Sequence, residues 1–213
     1  MRPVSALTRL PVAAAGCLAL VGLAAAPSAA AETPLTFDCQ AKPPIVSAQT
    51  FDLGAGVEAT APDSVPSGSA FSVALAPAPL TVPGSVNGYT VKAIKDIKLR
   101  AVMPTNATLT DESLSGGSGT GSGTPSVAVS GGEIVMTVPG PISGGSTFTL
   151  PTLTLDLVAG APGGTVTTRI AGTSYDNPGL TFTARVPILF FTADVPTSCF
   201  SSPSPVLSST AVS

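Results

Sequence analysis

The sequence predicts an all-β fold, an immunoglobulin-like β-sandwich of about nine or ten strands whose two ends are tied by one disulfide. Short runs of Val, Leu, Ile, Phe and Thr alternate with polar residues along the chain, the period of a half-buried strand. Gly and Pro, 22 of each in 213 residues, punctuate those runs at nearly even spacing. Two cysteines, Cys39 and Cys199, lie near the two ends of the strand-rich region.

The compartment follows from the first residues. Arg2 and Arg9 precede an apolar stretch from Leu10 to Ala26, and Pro27 leads through Ser28, Ala29, Ala30 and Ala31 to Glu32. A basic start, an apolar middle and small residues before the break are the layout of a secretory signal peptide, with cleavage expected after Ala31. The apolar stretch contains Pro11 and Gly16 and falls short of the roughly 20 residues of a spanning helix. Ala14-Ala15-Gly16-Cys17 lacks the branched residue of a lipobox. The expected organisation is a signal peptide at 1–31, a sandwich domain at 32–200 and a disordered Ser-rich tail at 201–213. Cys17 leaves with the signal, so Cys39 and Cys199 have one possible pairing, and an oxidising exterior favours it. A redox-active pair would need close spacing or a helix N-terminus, and neither is visible.

The strands can be placed in order. Leu35, Phe37 and Cys39 alternate with Thr36 and Asp38, as in a half-buried edge strand. Phe51, Leu53, Ala55 and Val57 share one parity, with Gly54 and Gly56 suggesting a bulge. Ala61 to Gly68 reads as a turn, followed by Phe71, Val73 and Leu75 on one face. Between Asn87 and Met103, Val91, Ile94 and Ile97 have three-residue spacing, whereas Ile97, Leu99, Ala101 and Met103 alternate. The reading is a turn or short helical piece to about Lys95, then a strand. Ser113 to Ser126 is rich in Gly and Ser and reads as a flexible loop. Strands follow at Val127–Val129, Ile134–Val138 after the Gly131-Gly132 turn, Thr147–Leu157, Thr165–Ile170 and Leu180–Val186. Pro187 to Val195 reads as a last strand carrying the chain to Cys199.

Composition removes many functions. The chain has no His and no Trp, so Ser-His-Asp and Cys-His catalysis and His-ligated metal sites are excluded. Only 10% of residues are charged, against roughly 25% in ordinary soluble proteins. Thr and Ser take the place of charge on the outer faces, which reconciles a mean hydropathy of +0.47 with solubility. Without residues 1–31, seven basic side chains face twelve acidic ones, so the overall charge offers no footprint for nucleic acid or anionic lipid. Lys92, Lys95, Lys98 and Arg100 form the one basic group, read as solvated strand positions rather than a site for an acidic polymer. No Walker-type lysine accompanies the Gly-rich loop.

Carboxylates alone can hydrolyse glycosides when two of them face each other. The acidic residues are dispersed, and Asp111 and Glu112, as strand neighbours, point to opposite faces. Asp176 belongs to a Tyr175–Gly179 turn, and no alternating acidic pattern suits calcium. Asn106-Ala107-Thr108 matches a glycosylation acceptor but reads as a turn after Pro104. Tyr89 and Tyr175 read as boundary residues with one polar tip. No catalytic, cofactor or metal residue is assigned.

Through the stretches Thr36-Phe37-Asp38-Cys39, Ala61 to Gly68, Pro104 to Leu109, Gly172-Thr173-Ser174-Tyr175 and Pro196-Thr197-Ser198-Cys199, the chain resembles a group of small secreted actinobacterial proteins, some loosely described as cyclase- or dehydratase-like. What the resemblance implies is an exported immunoglobulin-like sandwich of the envelope or medium, without an enzymatic assignment. The expected function is a secreted or cell-envelope-associated structural or interaction module, not an enzyme. Its partners would be a cell-wall polymer, an envelope lipid or another envelope protein. The alternative is a carrier holding an apolar, lipid-like ligand between its sheets; a carboxylate-only hydrolase comes third. An enclosed apolar cavity or a pair of facing carboxylates would separate them.

Overall fold

The fold was derived from a computed structural model that describes residues 32–213. The expected signal peptide, its expected cleavage point after Ala31 and Cys17 lie outside the described residues. No helix occurs among the described residues; eighteen strands do. They are β1 Glu32–Ala41, β2 Gln49–Thr60, β3 Ser64–Val65, β4 Ala70–Pro77, β5 Leu80–Thr81 and β6 Ser85–Val86. Next come β7 Tyr89–Thr90, β8 Ala93–Val102, β9 Ala107–Ser115, β10 Ser126–Ser130, β11 Glu133–Val138 and β12 Ile142–Ser143. The last six are β13 Thr147–Phe148, β14 Thr152–Ala159, β15 Thr165–Thr168, β16 Leu180–Ile188, β17 Phe191–Ser201 and β18 Ser208–Val212.

Ten strands form one hydrogen-bonded path, β10-β11-β8-β16-β17-β1-β2-β4-β14-β9. The path curls until β9 and β10, its two ends, approach each other, giving a sandwich-like wrap around the main core. Strand alternation explains the layering. In β14, Leu153, Leu155 and Leu157 are buried while Thr152, Thr154 and Asp156 between them are only half-buried. Burying three leucines on one short strand contributes about 5 to 9 kcal/mol, at about 1.5 to 3 per side chain.

Cys39 and Cys199 form a disulfide, directly opposite each other on β1 and β17, 160 positions apart in sequence and with Cα atoms 4.1 Å apart. Both are fully buried. The bond therefore lies in the middle of the sheet. β1 is a central strand between β17 and β2, not an edge strand, because the late return of β17 covers the side that local sequence leaves open.

Other expectations are corrected. Of the turn or short helical piece expected up to about Lys95, the structure has the turn, at Asn87-Gly88, and no helix: β8 begins at Ala93, and its pairing with β16 slips between Thr181 and Thr183, so that Asp96 and Ile97 together oppose Phe182. Asp96 has φ +54° at this bulge. The extra residue turns Ile94 and Ile97 to the same side, which produces the three-residue spacing that mimics a helix. β2 pairs with β1 without a register break, so Gly54 and Gly56 mark no bulge.

The tail at 201–213 is not disordered. β18 pairs with β15 and, in parallel, with β3, burying Leu207, Thr210 and Val212. The Thr210 hydroxyl donates to the Pro62 carbonyl at 2.8 Å, so the domain extends to the last residue. The Gly-rich loop between β9 and β10 is also held. The Ser118 and Thr149 backbones exchange hydrogen bonds of 2.9 and 2.8 Å, and a Cβ at Gly119 or Gly121 would strike neighbouring backbone within 2.9 Å. Glycine serves there for close approach more than for flexibility. Finally, Pro187 to Val195 is not one strand: β16 ends at Ile188, and Leu189-Phe190 turn the chain into β17.

Candidate functional site

The inner faces of β1, β2, β8, β16 and β17 do not fill the space between them. Residues 78–91, which include the small strands β5, β6 and β7, cross over this concave surface as a strap. The strap is fixed at three places. The Ala78 N–H donates to the Gly56 carbonyl at 2.8 Å, Val82 exchanges backbone hydrogen bonds with Ser146 and Gly145, and the Asn87 amide donates to the Thr50 carbonyl at 3.2 Å. Asn87 and Gly88, at φ +50° and +82°, make the β6–β7 turn that brings Tyr89 over the sheet.

Between strap and sheet lies a cavity of about 140 Å³, partly open to solvent. Phe51, Leu53, Val82, Ile97, Phe182 and Ala184 are among its walls, and almost all of its surface is carbon. No Asp, Glu, Lys or Arg lines it; Tyr89, Gln49, Thr81 and Thr197 supply its few polar groups. Water gains little in such a space, which needs two to four polar partners per molecule. The site can exclude water and hold hydrocarbon, and it offers no carboxylate to move a proton.

The sequence-predicted candidates fall elsewhere. Asn106, at φ +56°, donates its amide to the Ala161 carbonyl at 3.1 Å and accepts from the Ala161 N–H at 3.0 Å, clamping two loops together. Asp176 lies in a turn closed by Thr173, Ser174 and Asn177 backbone bonds, as expected. Tyr175 stands edge-on to Phe200 at 5.2 Å, away from the cavity, whereas Tyr89 belongs to the cavity wall. Of the basic group, Arg100 pairs with Glu133 and donates to the Pro178 carbonyl at 2.6 Å; Lys95 pairs with Asp194 at 2.8 Å. Lys92 and Lys98 are exposed.

Carboxylates that look dispersed in sequence are brought together by register. Glu32 faces Glu58, Asp38 faces Asp52, and Asp111 faces Asp156. None of these pairs lines the cavity, and Asp156 accepts a 2.6 Å hydrogen bond from Ser72. No group of three or more potential metal-ligating side chains occurs among the described residues. No helix among them is long and apolar enough to cross a membrane.

The cavity walls are not legible in the sequence, because each wall residue reads as ordinary strand core. A usable signal was the proline-rich segment from Pro77 to Pro83, too irregular to be a sheet strand and too apolar to be a free loop.

No family model matches this sequence, and no curated protein matches it. A solved structure has a similar fold: a protein of Corynebacterium diphtheriae, an actinobacterium, provisionally described as membrane anchored. The two superpose with a TM-score of 0.56 at 18% sequence identity, over 86% of this chain. This chain spans 38% of that protein's length, so the likeness is one of fold.

Proposed function

We propose that this is an exported, cell-envelope-associated binding module, without catalytic activity of its own, that holds the hydrocarbon portion of a lipid-like ligand between its sheet and its strap. The observation that carries this reading is the uncharged cavity of about 140 Å³ beneath residues 78–91. Largely preformed apolar concavities with a few polar groups are the usual form of small-ligand sites. The size sets the ligand class, since a cavity near 150 Å³ admits about one benzene-sized apolar guest. The occupant is therefore a segment of one chain, with the rest of the ligand outside. The fold likeness to a protein described as membrane anchored supports an envelope setting, as does the buried disulfide.

The test is uptake of a dansyl-labelled fatty acid, with native mass spectrometry after incubation in an envelope lipid extract. The protein should retain one equivalent of ligand. Ala184→Phe, which projects a ring into the cavity, should abolish retention, and the milder Ala55→Leu should weaken it. Absence of retention by the unsubstituted protein, or equal retention by Ala184→Phe, would remove this reading and favour a module acting through its surfaces alone.

A further inference from the structure

The β16–β17 hairpin differs from the rest of the sheet. β8 pairs with β16 only as far as Arg185, and β1 pairs with β17 only from Thr197 onward, so residues 186–196 pair chiefly with one another. They form a two-stranded ribbon that projects beyond the sheet. Its inner side is covered, with Val186, Ile188, Ala193 and Val195 packing under Tyr89 and Ile94. Its tip is bare: Leu189 is 82% exposed, Phe190 100% and Phe191 49%.

Folding alone does not account for these residues. A two-residue hairpin turn with positive φ at its first position favours Gly there, yet Leu189 occupies it at φ +52°. A bulky residue in that region is uncommon, and such outliers cluster at functional positions. The tip thus combines a disfavoured backbone conformation with large apolar side chains held in water.

The base of the ribbon carries an excess of positive charge, four basic side chains against two carboxylates. Arg185 lies on β16 and Lys92 and Lys95 lie beside it on β8 and its lead-in; Lys42, whose N–H donates to the Pro196 carbonyl, lies where β1 ends. These are four of the seven basic residues after position 31. The carboxylates in this region are Asp194, which Lys95 and Arg185 both approach, and Asp96 at the bulge. The next carboxylate on the neighbouring strand, Asp38, pairs opposite Phe200, four positions further from the tip than Pro196. Arg185 is three residues from the end of β16, or roughly 10 Å from the turn at about 3.4 Å per residue.

We propose that the Leu189-Phe190-Phe191 tip docks on the surface of an anionic lipid bilayer, its side chains entering the headgroup and acyl-chain boundary while the cations around Arg185 meet lipid phosphates. The spacing fits, because apolar faces of interfacial segments sink roughly 5 to 10 Å into that boundary. The local cations give the tip the charge complementarity that the acidic chain as a whole lacks. This inference stands independently of the ligand read into the cavity.

The test uses the chain without residues 1–31, which retains every described residue, and vesicles of phosphatidylcholine with or without phosphatidylglycerol. Binding should require the anionic lipid and weaken as salt is raised. The double variant Leu189→Gly with Phe190→Ser supplies favoured turn residues, so it should fold at least as well while losing vesicle affinity by roughly tenfold or more. The chain has no Trp, so Phe190→Trp adds a single indole whose emission should shift to the blue on vesicle addition. Ala184→Phe should bind vesicles like the parent, even where it loses cavity ligand. The proposal is overturned by an unshifted indole, by undiminished binding of the double variant, or by vesicle binding lost in Ala184→Phe alone. A protein that instead pairs with a second copy through this tip, as seen by sedimentation, overturns it too.

Discussion

Two hairpins of this protein turn over two residues with opposite chemistry. Between β10 and β11 the turn is Gly131-Gly132, with both φ values positive at +62° and +78°. Between β16 and β17 it is Leu189-Phe190, with positive φ at Leu189. The first turn follows local backbone preference and is readable from two letters of sequence. The second contradicts that preference and is invisible to it. The difference teaches that a hairpin can form without turn residues when tertiary pairing on the flanking strands is long enough. β16 and β17 are matched over nine residue pairs, against five in the glycine hairpin.

The largest test of this contrast is removal of the disulfide. Cys39→Ser with Cys199→Ser should cost about 2 to 5 kcal/mol, read from denaturant midpoints. Hydrogen exchange should then quicken at β16–β17 amides more than at β10–β11 amides, since Cys199 anchors β17 directly; equal quickening would mean the two hairpins share one source of stability. Next in size, installing Leu and Phe at positions 131 and 132 should destabilise by about 2 to 4 kcal/mol, because two side chains would enter left-handed backbone at about 1 to 2 kcal/mol each. A smaller cost would show that backbone strain at Leu189 is also slight.

The smallest effect concerns Asp194 at the base of the apolar-tipped hairpin. Its carboxyl is held below the ordinary aspartate range chiefly by the hydrogen bond from Lys95; desolvation opposes this, and the charges of Lys95 and then Arg185 add smaller lowering effects. A lowered pKa contributes stability that is present above the ordinary aspartate range and is lost as pH falls through the lowered value. Ribbon amides should therefore exchange slightly faster under strong acid after correction for intrinsic rates. Asp194→Asn should remove that pH dependence, and high salt should shrink it because the group is exposed.

The same contrast explains how far the sequence could be read. The all-β class, the Cys39–Cys199 pairing and most strands followed from alternation, turn residues and cysteine count, all of which are local or arithmetical. What failed depended on distant partners. β1 reads as an edge until β17 returns beside it, and the three-residue spacing of Ile94 and Ile97 allows a helical piece until the Asp96 bulge is known. Ser-rich residues 201–213 read as disordered because the strands they pair with are contributed by residues 64–65 and 165–168. The cavity was harder still. It is an absence of packing between elements, and Phe51, Ile97 and Phe182 carry the same signature whether a neighbour fills the space or not. The exposed tip was hidden inside a run of apolar residues that ordinary strand logic assigns to the interior.

The facing carboxylates have a consequence for the molecule at a distance. Glu32 with Glu58 and Asp111 with Asp156 lie far along the sheet from Arg185 and Lys92, so an excess of acid at one end stands against an excess of base at the other, although Asp194 and Asp96 sit among the basic groups. Such a separation gives the protein a permanent electric dipole. In the field of a negatively charged wall it would experience a torque as well as a force, and would arrive with its basic pole leading.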